Sequence, residues 1–260
     1  MKFATWNVNS LTVRLPQVLD WLAANPVDVL VLQETKMTDD KFPAAAFLEA
    51  GYNAQWFGQK TYNGVALLSK TGLAVSDVVK NIPGFIDELA RVITATVSDE
   101  KLGDIRVIGA YFPNGQEPGS EKFDYKMNWL KGLRDWLKTE LQAHPKLVIM
   151  GDYNITFDDL DVWDPVGLEG TIHCTEEERY QLRALIALGL TDAVRMFDQP
   201  AKNFSWWDYR DFGFRKNKGL RIDHILVSNA LSASVTACAI DKLPRKNERP
   251  SDHAPVIVTL

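Results

Sequence analysis

Short apolar runs alternate with amphipathic stretches along the chain, and the two patterns predict strands and helices. The runs at residues 27–34 and 146–154, VDVLVLQE and KLVIMGDYN, are apolar at most positions, as strands buried on both faces are. Residues 122–142 carry tryptophans and leucines on one stripe, which predicts a long amphipathic helix. Further helices are predicted at 15–24, with Pro16 near the first turn, and at 176–189, and further strands at 2–8, 52–57, 64–69, 73–79, 91–97, 105–112, 220–228 and 255–260. Adjacent strands between helices fit two packed sheets with helices outside better than a Rossmann repeat.

Composition places the chain among ordinary globular proteins. Its 260 residues are 46% hydrophobic and 24% charged, and no low-complexity or Pro/Gly/Ser-rich stretch marks a domain boundary. We therefore expect a single domain spanning residues 1–260. The N-terminus MKFATWNVNS has no apolar signal region, no stretch approaches the ~18 apolar residues of a membrane span, and the two cysteines give no disulfide framework. We expect a cytoplasmic monomer with no membrane partner.

Charge is distributed unevenly along the chain. The net charge is −5, but residues 201–260 hold 10 Lys or Arg against 6 Asp or Glu (+4), which leaves 19 against 28 (−9) in the first 200 residues. The basic excess lies in RDFGFRKNKGLR at residues 210–221 and in KLPRKNER at residues 242–249. Solvated loops would explain this pattern, and so would a local phosphate-facing surface on an acidic body.

Polar residues stand where the predicted strands end, which is where α/β proteins usually bind ligands. They are Asn7, Glu34, Tyr111, Asp152, Asn154, Asp223, Asp252 and His253. Each one alone has a structural interpretation; for example, Asn7 could cap a turn, and Glu34 could pair with Lys36. Together they are rich in carboxylate and amide oxygens, the donors that suit Mg²⁺ or Mn²⁺ rather than zinc. The sequence therefore predicts a hard-cation site at the strand ends.

Eight segments carry a resemblance to a known family. They are TWNVNS, LQETK, GQKTYNGVALLSK, YFPNG, GDYNI, SWWDYR, GLRIDHILVS and SDHAP, and they extend over essentially the whole chain. In this order they resemble the exonuclease III family of DNA repair nucleases, within the DNase I-like endonuclease/exonuclease/phosphatase superfamily. The resemblance implies an α/β fold, namely a four-layer α/β sandwich of two mixed β-sheets packed face to face and flanked by helices.

The resemblance also implies roles for the strand-end residues in phosphodiester hydrolysis. The implied catalytic residues are Tyr111, Asp152, Asn154, Asp223 and His253, and the implied metal ligands are Asn7, Glu34, Asp152, Asn154 and Asp252. Asp152 resembles the residue that orients or deprotonates the attacking water. His253 resembles the family's phosphate-facing histidine, held by Asp223, and Tyr111 would contact the scissile phosphate or assist the leaving group.

Other residues are expected to hold DNA. The positions that resemble phosphate contacts of similar proteins are Arg91, Asn114, and Lys122 or Lys126. The segment FSWWDYRDFGF places aromatic residues beside cations, which are the ingredients for holding a flipped sugar or an end nucleotide. We expect Trp207 in the pocket, and Phe204 and Trp206 in the core.

His173 lies in VWDPVGLEGTIHC, a segment in which members of the family differ in length and sequence. Because this segment follows the Asp152 loop, we expect it to form a wall of the active site, although a surface-loop histidine is the alternative. An imidazole over the pocket would fill space that a flipped abasic sugar needs, whereas a frayed 3′ terminus would still enter. We therefore expect 3′-end processing to be favoured. His224, by contrast, is expected to be a buried strand residue.

The predicted function is that of a Mg²⁺- or Mn²⁺-dependent DNA repair phosphodiesterase acting on duplex DNA with nicks, 3′ ends or abasic sites. We expect 3′→5′ exodeoxyribonuclease and 3′-end-cleaning activity, with abasic-site incision as a further activity. Two alternatives stay open. A hydrolase for another phosphoester, such as an inositol phosphatase or a sphingomyelinase, would share the strand-end residues but not SWWDYR. A non-catalytic DNA-binding relative would carry substitutions at the strand ends.

Overall fold

The computed structural model describes residues 1–260, which form fourteen β-strands and five α-helices. The strands are β1 (Lys2–Asn7), β2 (Val29–Gln33), β3 (Tyr52–Phe57), β4 (Val65–Lys70), β5 (Ala74–Lys80), β6 (Val92–Asp99), β7 (Gly103–Tyr111), β8 (Leu147–Asp152), β9 (Leu190–Asp192), β10 (Trp206–Trp207), β11 (Gly219–Leu220), β12 (Asp223–Ser228), β13 (Ala237–Ile240) and β14 (Val256–Thr259). The helices are α1 (Leu11–Ala24), α2 (Ala44–Glu49), α3 (Glu121–Ala143), α4 (Glu176–Ile186) and α5 (Asn229–Ser232). None of these helices is both long and apolar enough to cross a lipid bilayer.

Two six-stranded sheets form the body of the molecule. Their strand orders are β13-β14-β1-β2-β4-β3 and β5-β6-β7-β8-β12-β9. Each sheet is mixed, because β1 pairs in parallel with β2 and β7 pairs in parallel with β8, whereas the other pairs are antiparallel. The short strands β10 and β11 form a separate antiparallel pair.

The two sheets pack face to face, and helices cover their outer faces. Apolar residues from both sheets fill the space between them, among them Val31 of β2 and Val107 of β7. Trp21 of α1 and Phe47 of α2 pack on the outside of the first sheet. On the outside of the second sheet, α3 and α4 contribute a third apolar cluster that includes Trp129. The predicted four-layer α/β sandwich is confirmed.

Most predicted elements lie close to their observed positions, and the differences involve short or irregular segments. The strand predicted at 220–228 is wrong at its start, because Leu220 pairs with Trp206 in the small β10–β11 pair and β12 begins at Asp223. Helix α1 begins at Leu11, so Pro16 lies inside the helix and not in its first turn. The strands β9, β10, β11 and β13 are not predicted, because two to four residues show too little periodicity, whereas the equally short β14 is predicted from its β-branched residues.

Candidate active site

Residues at the ends of neighbouring strands meet at one edge of the sandwich. In the first sheet, Asn7 ends β1, and Glu34 directly follows the end of its parallel neighbour β2. In the second sheet, Asp152 ends β8 and lies opposite Tyr111 of β7 and Asp223 of β12. Strand register therefore decides which of the predicted side chains share the site.

Asp152 is the centre of the hydrogen bonds in this site and is almost fully buried. Its Oδ2 accepts from Nδ2 of Asn7 at 2.9 Å and from Nδ2 of Asn154 at 3.3 Å, and its Oδ1 accepts from the backbone N–H of Asn154 at 2.9 Å. The preceding residue is Gly151, where a Cβ would lie 1.8 Å from the carbonyl oxygen of Ala110. Glycine thus allows the close approach of β7 that places the carboxylate.

His253 lies between two buried carboxylates. Its Nδ1 lies 2.9 Å from Oδ2 and 3.1 Å from Oδ1 of Asp223, and its Nε2 lies 3.7 Å from Oδ2 of Asp152. Burial alone would lower the pKa of His253, but the carboxylates of Asp223 and Asp152 outweigh burial and raise the pKa to about 10. The imidazole is therefore a cation at neutral pH, oriented by the hydrogen bond from Nδ1 to Asp223.

Two serines that the sequence patterns did not single out hold this histidine–aspartate pair. The hydroxyl of Ser205 donates to Oδ2 of Asp223 at 2.7 Å. The hydroxyl of Ser251 donates to the carbonyl of Asn7 at 2.6 Å and accepts from the backbone N–H of His253 at 3.2 Å. Their position inside FSWWDYR and SDHAP was the signal that could have pointed to them.

Burial and neighbouring negative charge disfavour loss of the proton from Asp152 and Tyr111. Burial raises the pKa of the Asp152 carboxyl, His253 lowers it, and Asp223 and Glu34 raise it again, to about 7. Burial, with the charges of Glu34 and Asp152, also raises the pKa of Tyr111 well above its ordinary value, so the phenol stays protonated. A bound cation would stabilise the ionised carboxylates that lie together here.

Glu34 and Asp152 are the residues best placed to hold a divalent cation. One potential ligand atom from each of Glu34, Asp152 and His253 lies within 4.8 Å of the other two. Nδ1 of His253 is engaged by Asp223, and a hard cation prefers oxygen to nitrogen, which favours the two carboxylates as ligands. Carboxylate oxygens suit a hard cation, so the residues present fit the predicted type of metal.

Asn7 and Asn154 lie in the site, but their amide oxygens already have protein donors. Oδ1 of Asn7 accepts from the backbone N–H of Asn9 at 3.0 Å, so its Nδ2 faces the carboxylates. Oδ1 of Asn154 accepts from Nδ2 of Asn114 at 3.2 Å. Both amides donate to Asp152 through Nδ2, and their role as metal ligands stays a prediction.

Asp252 is the predicted carboxylate ligand that lies apart from Glu34 and Asp152. Its Oδ1 accepts from Nδ2 of Asn9 at 3.0 Å, and its Oδ2 accepts from the indole N–H of Trp206 at 3.0 Å. It is not a member of the group formed by Glu34, Asp152 and His253. Its contacts hold Trp206 in place beside the site.

The predicted phosphate-binding residues divide into accessible and buried ones. Asn114 and Lys122 are exposed. Arg91 lies at the edge of the site, where its guanidinium carbon is 5.2 Å from the ring centroid of Tyr111 and its Nη1 donates to the Tyr111 carbonyl at 3.3 Å. Lys126 is fully buried and its ammonium contacts protein atoms, so the prediction that it contacts DNA is wrong.

A cavity of about 780 Å³ lies beside the site, and its wall includes Trp206, whose indole N–H donates to Asp252. Trp207 is fully buried and its indole N–H donates to Asn217 at 3.0 Å, so the prediction placed the wrong tryptophan in the pocket. Because successive side chains of a strand point to opposite faces, only one member of the pair faces the cavity. The other residues that line the cavity include two acidic side chains as well as two basic ones; they are Trp163, Leu168, Thr171, Ile172, His173, Asp208, Arg210, Asp211, Gly213, Lys218 and Leu220.

His173 lies in the wall of this cavity, and its ring centroid is 6.4 Å from that of Trp206. Its Nδ1 donates to the carbonyl oxygen of Asn154 at 2.7 Å, which leaves Nε2 without a proton. Burial, together with the charge of Lys126, lowers the pKa of His173 to about 4, so the imidazole is neutral at physiological pH. His224 is buried, as predicted.

Comparisons of the sequence and of the structure with known proteins point to the same family. Residues 4–253 match the Endonuclease/Exonuclease/phosphatase family. The chain is 36% identical to exodeoxyribonuclease III of Haemophilus influenzae, over 98% of each chain. Two structures from Neisseria are named 3′ phosphatase NExo bound to product DNA hairpin and 3′-5′ exonuclease (NExo); each is 46% identical, with a TM-score of 0.95 over 100% of this chain and 99% of the other. An AP endonuclease from Archaeoglobus fulgidus is 33% identical, with a TM-score of 0.93 over the same shares.

Proposed function

This chain belongs to the endonuclease/exonuclease/phosphatase family, and we propose that it is a DNA repair nuclease of the exonuclease III type that hydrolyses phosphodiesters at the 3′ ends of duplex DNA. The family predicted from the sequence motifs is confirmed. The names of the relatives support 3′→5′ exonuclease and 3′-end-cleaning activity. The similarity to an AP endonuclease supports abasic-site incision as a further activity.

The observation that carries the proposal is the convergence of Asp152, His253 and Asp223 beside Glu34. Hydrolysis of a phosphodiester needs a group that orients water, positive charge toward the phosphoryl oxygens, and a donor near the leaving oxygen. Asp152 offers a carboxylate fixed by three hydrogen bonds, and His253 offers a cation held between two carboxylates. Tyr111 offers a phenol that keeps its proton.

In the proposed mechanism Asp152 accepts a hydrogen bond from the attacking water and takes its proton as the nucleophile forms. His253 stabilises the negative charge that develops on the phosphoryl oxygens, while Asp223 keeps the ring oriented. The P–O bond to the leaving oxygen breaks as the bond to water forms, and the leaving oxygen takes up a proton from solvent. Tyr111 donates a hydrogen bond to a phosphoryl oxygen or to the leaving oxygen. Each group is placed before substrate arrives, so little reorganisation accompanies the reaction.

Glu34 and Asp152 would hold the cation, which we propose to be Mg²⁺ or Mn²⁺ because both donors are carboxylates. When bound, the ion acts as a Lewis acid that neutralises charge on the phosphate. Lys36, whose Nζ lies 2.7 Å from Oε2 of Glu34, would retain the orientation of that carboxylate.

The cavity beside the site is proposed to receive the 3′-terminal nucleotide. Its volume of about 780 Å³ is within the range of small-molecule sites, and the ring of Trp206 offers a surface on which a sugar or base can stack. Asn114 and Lys122 are exposed and available to the DNA backbone. The proposed substrates are therefore duplexes with nicks, 3′ ends or abasic sites, bound by a monomer.

This arrangement favours the nuclease over the two alternatives. A phosphatase for a soluble or lipid phosphoester would not need the aromatic wall that SWWDYR contributes through Trp206. A non-catalytic relative would not need the buried charges of Asp152, Asp223 and His253, which are costly to maintain without a function.

Release of nucleotides from nicked duplex DNA tests the proposal directly. We expect release from the 3′ side of the nick with Mg²⁺ or Mn²⁺, and none with EDTA. Inositol phosphates and sphingomyelin, assayed in parallel, serve as the control substrates. Metal-dependent turnover of one of these without turnover of DNA would contradict the proposal, as would binding of DNA without any hydrolysis.

Part of the basic C-terminal region is also proposed to contact the DNA backbone. Arg221 and Arg245 are buried and are therefore not available, whereas Lys216 is exposed and Lys218 lies at the cavity with its Nζ 4.8 Å from the ring centroid of Trp163. The positive surface is thus smaller than the composition of residues 210–221 and 242–249 suggests.

Replacing both Lys216 and Lys218 by Glu should weaken duplex binding. The negative slope of the log association constant against log salt should become shallower by roughly two units, since two phosphate contacts are lost. Turnover of saturating substrate should change little. Fluorescence anisotropy across a salt series measures the slope, and Lys70→Glu with Lys101→Glu makes the same charge change at the opposite edge of the sheets. Equal slopes in the two double variants would show that Lys216 and Lys218 do not contact the backbone.

A further inference from the structure

An ion pair lies beneath the catalytic loop, and neither of its side chains is exposed to solvent. Lys126 of α3 and Glu178 of α4 are both 0% exposed and contact each other directly. The ammonium of Lys126 also donates to the carbonyl oxygens of Asn154 at 2.7 Å and Asn114 at 3.1 Å. All three N–H donors of the lysine therefore have acceptors, two of which belong to loops of the active site.

Glu178 connects the same pair to the wall of the cavity. Its Oε1 accepts from the backbone N–H of His173 at 3.1 Å, and its Oε2 accepts from the backbone N–H and hydroxyl of Thr175 at 3.1 and 2.7 Å. Thr175 and Glu178 form the capping box that begins α4. A capping box satisfies backbone N–H groups in the first turn of a helix. This one is buried, and Glu178 also binds the backbone N–H of His173, two residues before Thr175.

The two residues held by the pair have unusual backbone conformations. Asn154 has φ of 52° and His173 has φ of 72°, a left-handed region that is uncommon for residues other than glycine, although asparagine and histidine adopt it more often than most. The side chain of His173 adds a third contact, because its Nδ1 donates to the same Asn154 carbonyl that accepts from Lys126. Lys126, Glu178, Asn154 and His173 thus form one closed set of hydrogen bonds.

We propose that Lys126 and Glu178 are positioning residues that set substrate choice by holding His173 in the cavity wall. Desolvation offsets much of the attraction within a buried ion pair, so packing alone does not require these charges. The charged groups instead make directional hydrogen bonds. Lys126 binds the carbonyls of Asn114 and Asn154, and Glu178 binds the N–H of His173. The inference rests on the proposed function, because the choice concerns 3′-terminal against internal abasic substrates.

The test removes both charges together, so that neither is left buried without a partner. Lys126→Met with Glu178→Met keeps the side-chain volumes similar and should fold, with a lower melting temperature. We expect the ratio of abasic-site incision to 3′-nucleotide release to rise by roughly threefold or more, because His173 is no longer fixed. The substrates are a duplex with a tetrahydrofuran abasic analogue and the same duplex with a nick, both with Mg²⁺.

A double-mutant cycle separates positioning from general loosening. Adding His173→Gly to the double variant should raise the ratio no further than His173→Gly does alone, since the pair acts through this residue. As a matched control, Arg106→Met with Glu140→Met removes a largely buried ion pair (side chains 4% and 15% exposed) that contacts β5 and β6 and not the active-site loops. The control should lower the melting temperature and leave the ratio unchanged. Lys126→Leu with Glu178→Leu, which also leaves no buried charge, gives the same comparison if the methionine double variant does not fold.

Three results would overturn the inference: an unchanged ratio in the folded variant, an equal rise in the Arg106/Glu140 control, or additive effects with His173→Gly. Failure of the proposed function is distinguishable from all three. In that case the wild-type protein itself would release no nucleotides from either duplex.

Discussion

Replacing Asp152 by asparagine is expected to lower turnover of nicked duplex DNA by at least about 10²-fold, with duplex binding close to that of the wild type. Asparagine has nearly the same shape but cannot take a proton from water. It also removes a negative charge beside the position proposed for the phosphate, so binding should be retained or strengthened. The loss should therefore appear in kcat and not in the dissociation constant.

The measurement is single-turnover cleavage at saturating enzyme, with anisotropy for binding and thermal melting for the fold. Asp104→Asn makes the same chemical change at an exposed position near the start of β7, at the far end of that strand from Tyr111, and should leave turnover unchanged. Near-normal turnover in the Asp152 variant would remove this residue from its assigned role. A parallel loss of binding would indicate instead that the carboxylate mainly supports the local structure.

The group around Asp152 could be anticipated from sequence because it depends on strand ends. KLVIMGDYN predicts a buried strand that ends near Asp152, and the partners of that strand bring Tyr111 and Asp223 to the same edge. A polar residue can be assigned to a strand end when the apolar pattern that predicts the strand stops beside it. Which of these residues lie opposite one another depends on the strand register within each sheet. The sequence pattern does not specify that register for strands that are distant in the chain.

The predictions fail where adjacent residues point in different directions and the sequence does not indicate which of them faces the site. Trp206 and Trp207 are adjacent in a two-residue strand, and nothing in SWWDYR indicates which of them faces the cavity. Asp252 precedes His253 directly, yet its carboxylate points to Asn9 and Trp206 instead of the metal group. Short irregular segments give no periodicity from which side-chain direction can be inferred.

Lys126 is an error of a different kind, because its place on an apolar stripe is visible in the sequence but the burial of its ammonium is not. It lies three residues after Phe123 and three before Trp129, so it shares the apolar stripe of α3. A lysine on such a stripe ordinarily places its ammonium in water, and its burial here depends on Glu178, a residue 52 positions away. Partners that distant are supplied by tertiary packing and not by local pattern.

The second large effect concerns substrate choice. Replacing His173 by glycine is expected to raise abasic-site incision relative to 3′-nucleotide release by roughly tenfold, the size of effect that one group in a pocket produces. The imidazole occupies the cavity wall beside Trp206, where an extruded abasic sugar would have to enter. A 3′-terminal nucleotide has a free end and reaches the cavity with less displacement of the duplex.

Glycine is the informative replacement because the backbone at this position has φ of 72°, which glycine adopts without cost. The carbonyl of Asn154 loses the His173 donor but keeps the ammonium of Lys126, so no buried acceptor is left without a partner. Asp77→Gly makes a comparable change at φ of 49° in β5, away from the cavity, and serves as the control. His173→Asn tolerates the same φ and retains an intermediate volume, so it should give an intermediate ratio. If glycine and asparagine both left the ratio at its wild-type value, the side chain at position 173 would have no part in selecting between the two substrates.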